Sequence, residues 1–219
     1  MKFYNIIIKY RFWLSLFAIA LAVFVHYTSG FWPAFILYFL ALIGLLSHFL
    51  IGPMRLIQEP MEQGNIDEVK RILNTIWFPN ILIKPIRSTY YTIKGNLAMM
   101  EQDFDTAEKH LKKSSSLGAP MPEAEGANKL QLGMMALQRG NMKEGEGYIR
   151  AALRSGIPDK ESEAVAYLSM CQIFMNKGDM RSLKAAKDYY RRAKACKPTT
   201  KQVVEQIKEI EKYISRIPG

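Results

Sequence analysis

The first 58 residues contain no Asp or Glu, and their only Lys and Arg are Lys2, Lys9, Arg11 and Arg55. Soluble domains carry roughly a quarter of their residues charged, so this stretch is not an ordinary solvated surface. Cysteine is scarce too. Cys171 and Cys196 are too few for a disulfide framework and lack metal-ligand spacing, which fits a reducing compartment. Histidine occurs only at His26, His48 and His110, so no nucleophile–base constellation can be assembled. A phosphate-binding loop is also missing: Gly145-Glu146-Gly147 lacks the remaining glycines and the lysine of such a motif. These absences point away from an enzyme, and no cofactor or metal is expected.

What fills the acid-free stretch is two long apolar runs. Phe12 to Thr28 and Phe31 to Ile51 are 17 and 21 residues whose only ionisable side chains of note are His26 and His48. A membrane-spanning helix needs about 20 apolar residues. The spacing predicts spans over about 12–28 and 31–52, joined by a tight turn at Ser29-Gly30, as an N-terminal hairpin over 1–53. Trp13 near one end, and Tyr27, Phe31 and Trp32 near the other, sit where interfacial aromatic belts form. Ala20-Leu21-Ala22 is a formal small-x-small cleavage site, but it lies within the apolar run rather than beyond it. Ala34, Ala41 and His48 recur at seven residues, with Gly44 and Ser47 as further small positions; these allow close packing by the two spans or by another protein's helix. The bases at Lys2, Lys9, Arg11 and Arg55, against an uncharged turn, predict an inner or plasma membrane protein with both termini cytoplasmic.

Beyond the runs the balance changes. All 20 acidic residues lie from Glu59 onward, against 26 of the 30 bases. That mild excess suits work near anionic head groups and is too weak and dispersed to predict nucleic acid as a partner.

This second part is periodic. Asn65, Asp103, Asn141 and Asp179 stand 38 residues apart, preceded by Gly64, Gln102, Gly140 and Gly178 and followed by Ile66, Phe104, Met142 and Met180, apolar residues of the kind usually buried. Recurrence at one period marks a repeat array. Small residues recur where paired helices would cross: Lys94-Gly95-x2-Ala98, Leu132-Gly133-x2-Ala136 and Met170-Cys171-x2-Phe174, then Ala107-x3-Leu111, Gly145-x3-Ile149 and Ala186-x3-Tyr190. Pro120, Pro158 and Pro198 close the units.

On these motifs the array resembles the tetratricopeptide repeat family, whose helix–turn–helix unit carries Leu-Gly-x2-Tyr, Ala-x3-Phe and Pro. The resemblance implies an all-α fold: a two-helix transmembrane hairpin, then a solenoid of antiparallel helix pairs over 54–199. It comprises a partial unit at 54–78 and full units at about 87–119, 122–157 and 159–197, with a capping helix over 200–219. The period exceeds the family's usual length. The surplus is expected in the connections around Leu117 to Glu125 and Gly156 to Glu163, and three further residues of the last unit in its internal turn. In the partial unit, Met54 to Gln63 is expected to kink at Pro60, and Val69, Leu73 and Ile76 to point inward. Val203, Val204, Ile207, Ile210, Ile214 and Ile217 form the apolar stripe of the cap.

The resemblance also implies a concave groove lined by the first helix of each unit. By register its exposed positions are Thr92, Asn96, Met99 and Met100; Leu130, Met134, Leu137 and Gln138; and Leu168, Gln172, Met175 and Asn176. Methionine-rich surfaces adapt to varied apolar ligands, so a peptide or helix of a protein partner is the expected occupant; core packing is an equal reading for any one methionine. Thr92, Val165 and Ser169 stand where family members that clamp chaperone tails carry bases, which argues against that ligand. A second candidate surface is Lys184, Lys187, Arg191 and Lys194 on one helical face, suited to an anionic partner or lipid. Cys171 falls at a crossing position and is read as buried packing, while His110, in a second helix beside Lys109 and Lys112, is read as a lone surface histidine.

One connection stands apart. Ile76 to Ile86 reads Ile-Trp-Phe-Pro-Asn-Ile-Leu-Ile-Lys-Pro-Ile, far more apolar than connections usually are. Packing under the first full unit is the expectation. In the rival arrangement Trp77 and Phe78 rest in the head-group layer, with Lys84 and Arg87 reaching phosphates.

Overall fold

The computed structural model describes the backbone of residues 2–215 and the side chains of 10–215; Ile217 of the predicted stripe and the side chains of Lys2 and Lys9 lie outside the described residues. Among the described residues every regular element is helical. The chain forms α1 (Lys2–Ser29), α2 (Phe31–Ile51), α3 (Gln58–Glu62), α4 (Ile66–Asn74), α5 (Lys84–Met100), α6 (Phe104–Leu117), α7 (Pro122–Gln138), α8 (Met142–Ser155), α9 (Lys160–Lys177), α10 (Met180–Ala195) and α11 (Lys201–Ile214), with single 3-10 turns at Met54–Ile57 and Pro79–Ile81. It divides into two compact units, Met1–Tyr90 and Tyr91–Gly219.

In the first unit, α1 and α2 pack as a pair around small side chains. Ala22, Ala34 and Ala41 are fully buried between them, and a Cβ on Gly44 would stand 2.1 Å from the Ser15 hydroxyl. The small-residue face is therefore taken up inside the hairpin, while Phe17, Phe24, Ile36 and Phe39 point outward. Tyr10–Ser29 and Phe31–Ile51 are long and apolar enough to cross a membrane. Gly30, at φ 85°, makes the one-residue turn. At the other end Arg11 donates to Ser47 Oγ at 2.8 Å and to the Gly52 carbonyl at 2.6 Å, satisfying an orphan acceptor past the last turn of α2.

The predicted helix from Met54 to Gln63 is split. Its start is a 3-10 turn, and Pro60 lies in the first turn of α3, where a missing N–H costs little. Val69 and Leu73 are buried as expected, but Ile72 takes the third inward position; α4 ends at Asn74, so Ile76 leaves the helical register.

The second unit is a solenoid-like row of paired helices whose core is a chain of clusters. Ala98, Ala107, Leu111, Leu132 and Met135 join α5, α6 and α7. Leu130, Ile149, Ala152, Ala166, Met170 and Ile173 join α7, α8 and α9. Leu168, Cys171, Ala186, Tyr190, Val203, Ile207 and Ile210 join α9, α10 and α11, so α11 closes the row. Each cluster shares a helix with the next, as a one-dimensional array requires. The crossings are close: Cβ atoms on Gly95 and Gly133 would meet Leu111 at 2.7 Å and Ile149 at 2.5 Å.

The 38-residue period is a repeated turn. Asn65, Asp103, Asn141 and Asp179 are all helix N-caps, accepting through their side chains from the backbone N–H of Glu68, Thr106, Glu144 and Ser182. Before them Gly64, Gln102, Gly140 and Gly178 have φ of 68°, 61°, 77° and 73°. The first three turns share their backbone bonds as well, with Asn65, Asp103 and Asn141 N–H donating to the carbonyls of Pro60, Ala98 and Ala136 at 2.8, 2.9 and 2.9 Å. Two expectations fail here. Phe104, Met142 and Met180 are exposed and Ile66 is only half-buried, because the first helical residue after a cap points away from the pair. The three surplus residues of the last unit are not in its turn: α10 starts at Met180, directly after its cap, and the insertion adds nearly one turn of helix, leaving Ala186 on the packed face.

A second periodic device joins neighbouring units. Glu108 pairs with Lys112 on its own helix and with Arg139 of the next; Glu146 pairs with Arg150 and with Lys177 in the same manner. Lys112, Arg150 and the two glutamates repeat at 38, as do Arg139 and Lys177.

Candidate functional site

The last turn of α5, the second half of α7 and the first turns of α9 contribute to one depression. A shallow groove of about 280 Å³ opens between them, lined by Met99, Leu130, Gln131, Met134, Glu161, Ser162 and Val165. Its floor is apolar because Leu130 and Met134 are the upper surface of the α7–α8–α9 core, with Ser169 Oγ donating to Met134 Sδ at 3.3 Å. Its rim is polar. Gln131 Oε1 and Glu161 Oε2 are enclosed without a hydrogen-bond partner, so both are acceptors facing a confined space. Glu161 is held in place through its other oxygen, which accepts from Thr199 and Thr200 backbone N–H groups and from Thr199 Oγ1. Those N–H donors hold the Glu161 carboxyl below its ordinary range.

Among the positions read from register, Met99, Leu130 and Met134 come together in this groove, with Leu130 buried in its floor rather than exposed. Gln131, Glu161 and Ser162 were missed; Glu161 and Ser162 belong to the first turn of α9, which register alone assigned to a connection. Others lie elsewhere. Leu168 is buried in the α9–α10–α11 cluster rather than exposed. Thr92 is half-buried: its hydroxyl is within 2.7 Å of Ser114 Oγ and accepts from Asn128 Nδ2 at 2.9 Å, making a polar bridge among α5, α6 and α7. Leu137 packs on Gly145, where a Cβ would meet it at 2.5 Å. Met175 lies 3.8 Å from the Cys171 thiol at the edge of the last cluster. Asn96 is half-buried, with an enclosed Oδ1. Met100, Gln138 and Gln172 are exposed. Asn176 belongs to a different depression, shared with Met142, Lys143, Glu146, Ile173 and Lys177.

The basic face of α10 is less uniform than its spacing implies. Lys184 and Arg191 are exposed, Lys187 is half-buried, and Lys194 is engaged by Glu211 of α11 at 2.8 Å. Arg192 beside them is paired with Asp188.

The remaining reactive groups are absorbed by packing. Cys171 is fully buried and its thiol is pushed up to about 11 by burial. His110 stacks on Tyr91 with ring centroids 5.7 Å apart, and Lys113 lies over the same ring. Burial, then the charges of Lys94, Lys109 and Lys113, lower its pKa. Among the described residues no cluster of three or more His, Cys, Asp and Glu side chains is placed to hold a metal ion.

The expected packing of the 76–86 connection is not found. Leu82 is buried, but Trp77 and Phe78 are both exposed.

No known protein-family model matches the chain, and no curated protein matches it in sequence. Among solved structures it is similar to one described as the crystal structure of BtubC (BKLC) from P. vanneervenii. The two share 13% identity, with 96% of this chain and 85% of that chain covered and a TM-score of 0.55. At that identity the likeness is one of fold: an all-helical array of paired helices.

Proposed function

We propose that the chain is a membrane-anchored adaptor whose tetratricopeptide-like row of helix pairs binds a segment of a protein partner, with no chemistry of its own. The observation that carries this reading is the groove at Met99, Leu130, Met134 and Val165, an apolar floor spanning three successive units beneath enclosed acceptors on Gln131 and Glu161. A partner helix or peptide with one apolar anchor and a nearby Lys, Arg or amide donor satisfies both features. The α1–α2 hairpin holds the adaptor in an inner or plasma membrane with both termini in the cytoplasm.

In the rival reading the protein is a structural subunit of a membrane complex, with its contacts made mainly by the hairpin. Gly44 and Ser47 already face Ser15 and Arg11, and the outward face is Phe, Ile and Leu, as lipid contact favours. Photo-crosslinking of the full chain in native membranes separates the two. Crosslinks from Met99 and Val165 that vanish in Met134→Asp, with helicity kept, support the adaptor. Crosslinks only from Phe39 and Ile36 support the subunit.

A further inference from the structure

Trp77, Phe78, Ile81 and Ile83 are 82%, 62%, 48% and 43% exposed, four large apolar side chains within seven residues. Burying each is worth about 1.5–3 kcal/mol, so a monomer in water has no reason to hold them outward. Yet they are held. Leu82, between two of them, points the opposite way and is buried, 3.2 Å from where a Cβ on Gly52 would stand. The Ile83 N–H donates to the Leu50 carbonyl at 3.0 Å, and Arg87 braces the loop by donating to the Asn80 carbonyl at 3.0 Å. Pro79–Ile81 forms a single 3-10 turn that leaves little freedom between Phe78 and Leu82.

The tie to Leu50 fixes where this surface lies. Leu50 is in the last turn of α2, one residue from the end of a stretch long enough to span a bilayer. From Val69 to Met100 the sequence has no Asp or Glu but carries Lys70, Arg71, Lys84, Arg87 and Lys94, of which Arg71 pairs with Glu68 just before the stretch. Tryptophan beside bases at the end of a span is the composition of the head-group layer. It also mirrors Tyr27, Phe31 and Trp32, exposed at the opposite end of the hairpin.

We infer that the Trp77–Ile83 loop is a second membrane-contact surface, a wedge lying in the lipid head-group layer beside the end of α2. This rests on α1 and α2 crossing the membrane, which Trp13 and Trp32 report independently. The wedge sets the depth of α2, fixing how far α3 and α4 stand from the lipid.

Trp13, Trp32 and Trp77 are the three tryptophans of the chain. Three full-length single-Trp variants, the others changed to Phe, are reconstituted in phosphatidylcholine–phosphatidylglycerol vesicles carrying nitroxide at the head group or at mid-chain. For Trp77, at least twofold stronger quenching by the head-group label than by the mid-chain label is expected, with emission blue-shifted from that of the denatured chain. Lipid quenching of Trp13 and Trp32, with Trp77 quenched only by aqueous acrylamide, overturns the wedge and leaves the hairpin standing. A blue-shifted Trp77 that no lipid label reaches also overturns it, assigning the surface to a protein contact. If no label quenches any of the three, the hairpin reading fails and the wedge with it.

Discussion

A Cβ placed on Gly126 would stand 1.7 Å from the carbonyl oxygen of Gly156, and 3.2 Å from that of Ala152. The start of α7 and the end of α8 thus touch through backbone alone. Gly126→Ala must separate them, and overpacking of this kind costs about 1–3 kcal/mol. Gly147, on the outer face of α8, has nothing within 4 Å of its Cβ position. Gly147→Ala therefore gains only helix propensity, up to about 1 kcal/mol. Chemical denaturation in detergent should move the two midpoints in opposite directions; equal shifts would mean the α7–α8 approach is wrong.

The repeated turn makes a second paired prediction. Gln102 occupies a left-handed conformation that Gly64, Gly140 and Gly178 fill elsewhere. Gln102→Gly should stabilise the fold by about 0.5–1 kcal/mol, as relief of left-handed strain exceeds the added chain entropy. Gly140→Gln should destabilise it by a similar amount. Asn141→Ala, which removes a cap, should cost about 1 kcal/mol. A null result for Asn141→Ala would detach the period from capping.

How legible this was depends on what kind of constraint each residue answers. The cap pairs could be read because few side chains accept from the third N–H on, and few but glycine tolerate the φ before it. The crossings could be read because Gly95, Gly133 and Cys171 must be small. Hydrophobicity says that a side chain gains from leaving water, not which neighbour receives it, so it does not tell that Phe104, Met142, Trp77 and Phe78 stay exposed. The insertion in α10 was hidden for a related reason: three residues added within a helix nearly restore the same face. The groove rim at Gln131 and Glu161 was illegible because it depends on where α9 begins.

Acid should act in two steps. The His110 pKa is lowered by burial, then by nearby lysines, from the ordinary 6.5. The unfolded chain thus binds a proton first, and stability falls as pH drops from about 6.5 to the folded value. Glu108 and Glu146 are lowered from 4.5, chiefly by hydrogen bonds from Lys112 and Lys177. Their contribution is full above 4.5 and is lost as pH falls through the folded values. Melting temperature against pH should show both declines. His110→Phe should remove only the first, and Glu108→Gln with Glu146→Gln should flatten only the second.

The two thiols should differ. Burial raises both, but Cys171 is sealed inside the last cluster while Cys196 is partly accessible beside the end of α10. Maleimide at pH 7 should label the native protein at Cys196 and reach Cys171 only in denaturant. Labelling of both at equal rates would contradict the packing of α9 against α10.

Arg11 carries the final prediction, because it serves two purposes at one end of the hairpin. Its guanidinium joins α1 to the end of α2 through Ser47 and Gly52, and its charge adds to those of Lys2 and Lys9 in the N-terminal part of the sequence. Charge bias at the flanks sets topology, so the array beginning at α3 should face the cytoplasm. A fluorescent-protein fusion at the C-terminus should glow, and a phosphatase fusion at the same place should be inactive. Arg11→Gln keeps some hydrogen bonding but removes charge; orientation should survive, because Lys2, Lys9 and Arg55 retain the bias. Arg11→Leu loses the link to Gly52 as well, and should speed proteolysis between Ile51 and Asp67 while leaving orientation unchanged. An active phosphatase in the unaltered chain would place the array outside and refute the charge argument. Unchanged proteolysis in Arg11→Leu would deny Arg11 its role as a clamp.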